Sequence, residues 1–300
     1  MKKELKQLAI RCLSAKTIGE KAAIANEAKE LLKGAPSFKN YAHFKRWSGL
    51  SYFASIDSSS KIVKGRKSKV NTLILYLAAS KNAGIDICQF ASEDCRNLCL
   101  VKSGHALLEA SLDASKQTIA LSRIIKTWIM VFREDIARDV LAFEIVSKRK
   151  SAEKKGFGFA VRLNGTADID HLKTIKAFQD ITFYDYTKRP LQDDLPSNYS
   201  ITVSYANFSP FRVQQYRKAV SKGLNIAVAV TPDAFEDALK KLSYVFNADR
   251  DDLRYMDKER GKLGLLKIKT TANSRKNGID NPFVLDIKGI EKLAKVAGIN

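Results

Sequence analysis

Apolar and polar positions open the chain with a long helical pattern and then settle into alternation. Leu5, Leu8, Ile10 and Leu13, followed by Ile18, Ala22, Ile24, Ala28 and Leu31, recur at helical spacing and predict helix across residues 2–33. Gly34 and Pro36 supply the stop. Residues 35–70 show no sustained period and are rich in Ser, Lys and aromatics. Asn71–Ala79 is then a continuous apolar run, the pattern of a strand buried on both faces. Residues 105–149 return to a helical period and predict two helices joined near Ile125–Thr127. Short apolar runs succeed them at Phe157–Leu163, Ile181–Asp185, Ser200–Tyr205, Asn225–Val230, Leu242–Asn247 and Leu263–Lys269. A helix is expected at Phe211–Ser221, closed by Gly223, and another opening at Thr231-Pro232-Asp233, where proline and an acidic residue suit the first turn.

Strands alternating with helices predict an α/β fold of mostly parallel strands. With this many units, the expectation is a full or partial (β/α) barrel over residues 71–300, preceded by a basic helical N-terminal extension over residues 1–70. Such a barrel carries its chemistry at the C-terminal ends of its strands. Polar residues gather at those expected ends: Cys88, Cys95 and Cys99 after the first, Asn164 and Asp168 after the second, Asp185 and Lys188 after the third, Asp249 and Arg250 after the sixth.

Composition narrows the setting. A hydrophobic content of 45% over 300 residues is enough for a sizeable core. No run approaches the roughly 18 apolar residues of a membrane span, and Lys2, Lys3, Glu4 and Lys6 break up the opening before any leader-like stretch. A cytoplasmic protein without a membrane partner is expected. The formal net charge is +20, and residues 1–70 hold 16 Lys/Arg against 5 Asp/Glu. The densest run comprises Lys61, Lys64, Arg66, Lys67 and Lys69, which marks nucleic acid as the expected partner, against the plainer account of a solvated face. No helix-turn-helix, RNA-recognition or finger signature accompanies it.

Three of the four cysteines lie within twelve residues, in Cys88-Gln-Phe-Ala-Ser-Glu-Asp-Cys95-Arg-Asn-Leu-Cys99. Clustered cysteines in a reducing compartment favour metal binding or catalysis over disulfides. Thiolates converging on one loop suit an iron–sulfur cluster or another soft metal. With His105 as fourth ligand they suit a closed zinc site. A third account is buried thiols without a ligand, although Ser92, Glu93, Asp94, Arg96 and Asn97 make the loop strongly polar. Cys12, among Ile10 and Leu13, is expected to pack in the core.

Several segments resemble a known family when taken together. They are Val161-Arg162-Leu163-Asn164-Gly165-Thr166-Ala167-Asp168, Phe183-Tyr184-Asp185-Tyr186-Thr187-Lys188, the run Asn247–Asp257, and Leu263-Gly264-Leu265-Leu266. With the three-cysteine loop, this set resembles the gene-product-eighty-eight family of phage proteins over roughly residues 65–290. Three cysteines after the first strand also resemble the layout of radical S-adenosylmethionine barrels, with spacing C-x6-C-x3-C here against C-x3-C-x2-C there. That second resemblance implies a [4Fe–4S] cluster on Cys88, Cys95 and Cys99 and S-adenosylmethionine beside Asn164 and Asp168. Asp185, Lys188, Asp249 and Arg250 would line the substrate cavity. The expected function is an iron–sulfur enzyme of a phage or mobile element acting on nucleic acid or a nucleotide. The competing expectation is a non-catalytic nucleic-acid-binding protein with a structural zinc or iron–sulfur site.

Overall fold

The computed structural model describes residues 1–56, 68–99, 112–268 and 281–299. The chain divides into two compact units, each built from separate stretches. The first comprises Met1–Asp57, Asn71–Gln89 and Val101–Phe178, and the second Ser58–Val70, Phe90–Leu100 and Gln179–Asn300.

In the first unit the opening helix is two helices, Lys2–Ser14 and Ile18–Lys33. The break has a local cause. Thr17 accepts the Glu20 N–H at 3.2 Å, and the Glu20 carboxylate accepts the Thr17 N–H at 2.9 Å, which is a complete capping box. Cys12 is fully buried on the first of these helices, and burial pushes its thiol up to about 11. The stretch expected to be irregular contains a helix, Tyr41–Ser48, and strand β1, Ala54–Ile56. β1 pairs antiparallel with β2, Val70–Leu75. β3, Gly158–Arg162, follows β2 in the strand order. The two long helices run Thr118–Phe132 and Glu134–Glu153, so their joint lies at Arg133 rather than near Ile125–Thr127. Arg133 donates to the Leu32 and Ala35 carbonyls at 3.1 and 2.6 Å and pairs with Asp135 at 2.9 Å. Those bonds fix the corner where no proline or glycine marks it.

A buried charged hub stabilises this unit. Glu144, 2% exposed on the helix Glu134–Glu153, accepts the Phe53 and Ala54 N–H groups at 2.7 and 2.6 Å and the Tyr41 hydroxyl. Burial raises its carboxyl above the ordinary range, with those hydrogen bonds opposing. Lys126, nearly as buried, lies over the Tyr52 ring at 4.3 Å. Burial draws its ammonium down to about 8, against the pull of Glu144.

The second unit holds β4 (Thr182–Thr187), β5 (Tyr199–Ser204), β6 (Ile226–Val230), β7 (Val245–Asn247), β8 (Leu263–Lys267) and β9 (Val284–Leu285). Every pairing among them is parallel, in the order β4-β5-β6-β8-β7 with β9 also on β6. The α/β class and the parallel strands therefore stand. A closed barrel does not: among the described residues the order is a path with two ends, and no ladder closes it. One reason is that the β4–β5 crossover, residues 188–198, carries no helix. The outer ring that a (β/α) barrel needs is thus incomplete.

Helices Pro210–Ser221, Pro232–Lys241 and Ile287–Ala297 cover the unit's core of β6, β8 and their neighbours. Among the described residues no helix is long and apolar enough to cross a membrane.

The two edges of β6 are paired differently. β8 pairs along Ile226–Val230 and takes one edge. On the other edge β5 pairs only with Ile226 and Ala227, while β9 pairs with Ala229 and Val230. β5 therefore leaves β6 half-way along, and β9 takes its place.

Candidate functional site

Ligands of open α/β sheets settle beyond the carboxyl ends of the strands, where neighbouring strands diverge. The divergence of β5 and β9 makes such a place. Its depression has a volume of about 430 Å³, with Tyr205, Asn207 and Phe208 on the β5 side and Val284 and Leu285 on the β9 side. Tyr205 and Phe208 meet edge to face at 5.3 Å, and Phe283 stacks near Tyr205 at 6.4 Å. Burial raises the Tyr205 phenol above its usual range. Tyr216 fixes the end of β5, accepting the Ala206 N–H at 2.9 Å and donating to the Asn207 carbonyl at 3.0 Å.

The segment bearing Cys95 and Cys99 is fastened to this edge. Ser92 caps the short helix Glu93–Asn97 by accepting the Cys95 N–H at 3.2 Å, and its hydroxyl donates to the Ala206 carbonyl at 3.4 Å. The Asn281 side chain donates to the Asp94 carbonyl at 3.4 Å. Arg212, buried in the first turn of Pro210–Ser221, donates to the carbonyls of both Phe90 and Lys188. One guanidinium thus clamps the cysteine segment and the end of β4. Arg212 and Tyr216 were not among the residues expected from sequence. Their only signal was a large polar group among apolar helix positions behind a strand.

The expected site residues are distributed as follows. Asp185 is buried within β4 and accepts the Tyr199 hydroxyl at 3.3 Å. Lys188 follows β4 and lies 5.3 Å above the Phe283 ring. Asp249 and Arg250 follow β7, four places from β4 in the strand order, or roughly 19 Å at about 4.8 Å per strand. Asp249 accepts the Lys267 N–H at 2.7 Å, and Arg250 pairs with Asp251 at 3.1 Å. The four residues expected around one cavity therefore fall on strands four places apart in the second unit.

In the first unit, Asn164 closes on itself through Ile169, donating and accepting at 3.0 Å. The Asp168 N–H reaches the Ile87 carbonyl at 3.0 Å, beside Cys88. The Cys88 sulfur accepts the Ser80 N–H at 3.4 Å. Cys88 belongs to the first unit, and Cys95 and Cys99 to the second. All three are half-buried thiols rather than disulfide sulfurs. Among the described residues, no three His, Cys, Asp or Glu side chains gather as a metal ligand set. Lys61, Lys64, Arg66, Lys67 and His105 lie outside the described residues. Lys69 leads into β2 with φ 54°.

A family model for gene product 88 matches residues 54–280. The chain belongs to the gene product 88 family. That match spans β1 to the edge of the crevice, and so covers the cysteine segment and β4 to β8. Searches of curated proteins and of solved structures return no match.

One family segment, Asn247–Asp257, builds a buried ion cluster. The turn Arg254–Met256 packs against β4 and β5. Arg254 pairs with Asp251 at 3.0 Å and with Asp257 at 3.4 Å. Burial pushes the Asp257 carboxyl up to about 6, while Arg254 pulls the other way. A carboxyl raised in the folded state contributes stability that is complete below its unfolded value near 3.8 and lost as pH rises through about 6. The shift is worth up to about 3 kcal/mol. Acidifying from pH 7 to pH 4.5 should stabilise the wild-type chain relative to Asp257→Asn. Urea unfolding at both pH values measures the difference, and parallel pH profiles would contradict it.

Proposed function

We propose that this member of the gene product 88 family binds nucleic acid or a nucleotide at the C-terminal edge of its second unit, as a cytoplasmic enzyme of a phage or mobile element. The observation that carries the reading is the attachment of the Cys95–Cys99 segment beside the crevice where β5 and β9 part. The net charge of +20 supports a polyanionic partner.

The iron–sulfur and S-adenosylmethionine reading belongs to the same proposal. It requires Cys88, Cys95 and Cys99 to converge, with Asn164 and Asp168 beside them, and no chemical step is derived through it. A structural zinc on Cys88, Cys95, Cys99 and His105, in a nucleic-acid-binding protein without catalysis, is the second reading. It is favoured by the i, i+4 spacing of the Cys95 and Cys99 thiols around the helix Glu93–Asn97.

Two measurements test these readings. Affinity for single-stranded DNA and RNA should fall steeply as salt rises, and a salt-independent or absent interaction would remove the nucleic-acid reading. Anaerobically purified protein with iron and sulfide in cluster stoichiometry, and reductive cleavage of S-adenosylmethionine, would support the enzyme. Stoichiometric zinc without iron would favour the second reading.

A further inference from the structure

We propose that the crevice between the ends of β5 and β9 is a nucleotide pocket, in which a planar nucleobase lies against Phe208 and its phosphate is held by Lys292. The inference rests on the nucleic-acid reading of the protein and assigns that reading a location.

Four observations carry it. The first is topological. β9 occupies the upper half of the β6 edge that β5 vacates, so the opening is a built feature of the sheet and not a surface irregularity. Its volume of about 430 Å³ falls within the range of small-molecule sites.

The second is the character of its walls. Phe208, Val284 and Leu285 are apolar, and the buried Tyr205 ring backs Phe208 edge to face. Aromatic faces accept any base by stacking.

The third is the polar equipment. Asn207 gives its carbonyl oxygen to the Ser209 N–H at 3.0 Å, which leaves its amide NH₂ to donate to a base edge. Asp286 gives one oxygen to the Gly289 N–H at 2.8 Å, as the cap of Ile287–Ala297. Its second oxygen is placed to accept from a sugar hydroxyl.

The fourth is charge. Lys292 lies 4.5 Å above the Phe208 ring. Its ammonium is thus held at an aromatic wall by a cation–π contact. A planar ring that carries an anion meets both requirements together; an uncharged aromatic ligand meets only one.

The same chemistry comes from a free nucleotide or from one nucleotide of a single strand. Binding is measured on the full chain by isothermal titration with nucleoside monophosphates, their uncharged nucleosides and inorganic phosphate. A short single strand carrying 2-aminopurine is titrated in parallel by fluorescence.

Saturable binding of monophosphates, weaker for nucleosides and absent for phosphate alone, is expected if the source is free nucleotide. Strand binding with a change in 2-aminopurine emission, without monophosphate binding, assigns the source to a strand. In either case Phe208→Ala and Lys292→Ala should each weaken binding on the order of tenfold. Lys295→Ala, an exposed lysine one turn further along the same helix, should leave it unchanged. Lys292 is itself exposed, so its replacement reports on binding even if Phe208→Ala unfolds. Wild-type affinity in Lys292→Ala together with folded Phe208→Ala overturns the pocket. If salt-sensitive strand binding persists in that result, the nucleic-acid reading stands and only this location falls. No binding of any probe overturns both.

Discussion

Replacing Glu144 with alanine should lower the unfolding free energy by about 3–5 kcal/mol, the range for removing one partner from a buried charged network. Two donors lose their acceptor at once, the Phe53 and Ala54 N–H groups, and the Tyr41 hydroxyl keeps only the Ser51 carbonyl at 3.3 Å. The two N–H groups have no solvent at hand to replace the carboxylate, since Phe53 and Ala54 are themselves buried. Lys126 would also lose the one acidic neighbour that offsets its burial. Glu144→Gln keeps a carbonyl oxygen for part of the network and should cost less. Urea titrations of both variants test the order. Equal midpoints for Glu144→Ala and the wild-type chain would show that the hub contributes nothing net.

Gly84→Ala should be comparably damaging, at more than about 3 kcal/mol. Gly84 has φ +75°, which already disfavours a side chain. An added Cβ would also lie 2.1 Å from the Lys21 carbonyl oxygen, on the backbone of the helix Ile18–Lys33. The neighbouring carbonyl, that of Ala83, accepts the Trp128 indole N–H at 2.8 Å, so the loop has little freedom to retreat. Gly156 provides the comparison. Its φ is +70°, but no atom lies within 4 Å of an added Cβ. Gly156→Ala should therefore cost only the left-handed backbone term, about 1–2 kcal/mol. Thermal melts of the two variants separate steric clash from backbone strain, and equal losses would refute the clash.

Strands of ordinary length were legible in the sequence because their apolar runs are continuous. The runs expected at Asn71–Ala79, Ser200–Tyr205 and Asn225–Val230 appear as β2, β5 and β6. β1 and β9 were not legible, since three and two residues carry no period. The break between the first two helices had a readable signal, Thr17 followed by Glu20, that the long apolar period obscured. The joint at Arg133 had none, because its hydrogen bonds reach carbonyls 101 and 98 residues away.

The candidate site divides in the same way. The cysteine cluster stands out in the sequence, but its position after the first apolar run gave no sign that Ser92 and Asp94 would bond Ala206 and Asn281. The crevice was not legible either, because it arises from two strands sharing one edge of β6. Nor was the separation of Asp249 and Arg250 from Lys188: β7 lies outside β8, against the order of the chain, and strand order is a property of tertiary packing.

The anchors of the Cys95–Cys99 segment have a temporal consequence. Ser92 finds its acceptor 114 residues downstream, and Asp94 its donor 187 residues downstream. At about 5–20 residues per second, a growing chain needs roughly 10–40 s to supply the second of these. Throughout that interval the two thiols have been made but their seat has not. Whatever is installed on those sulfurs, or damages them, has its widest access while the protein is still being synthesised. A permuted chain that makes β5 and β9 first would narrow that access.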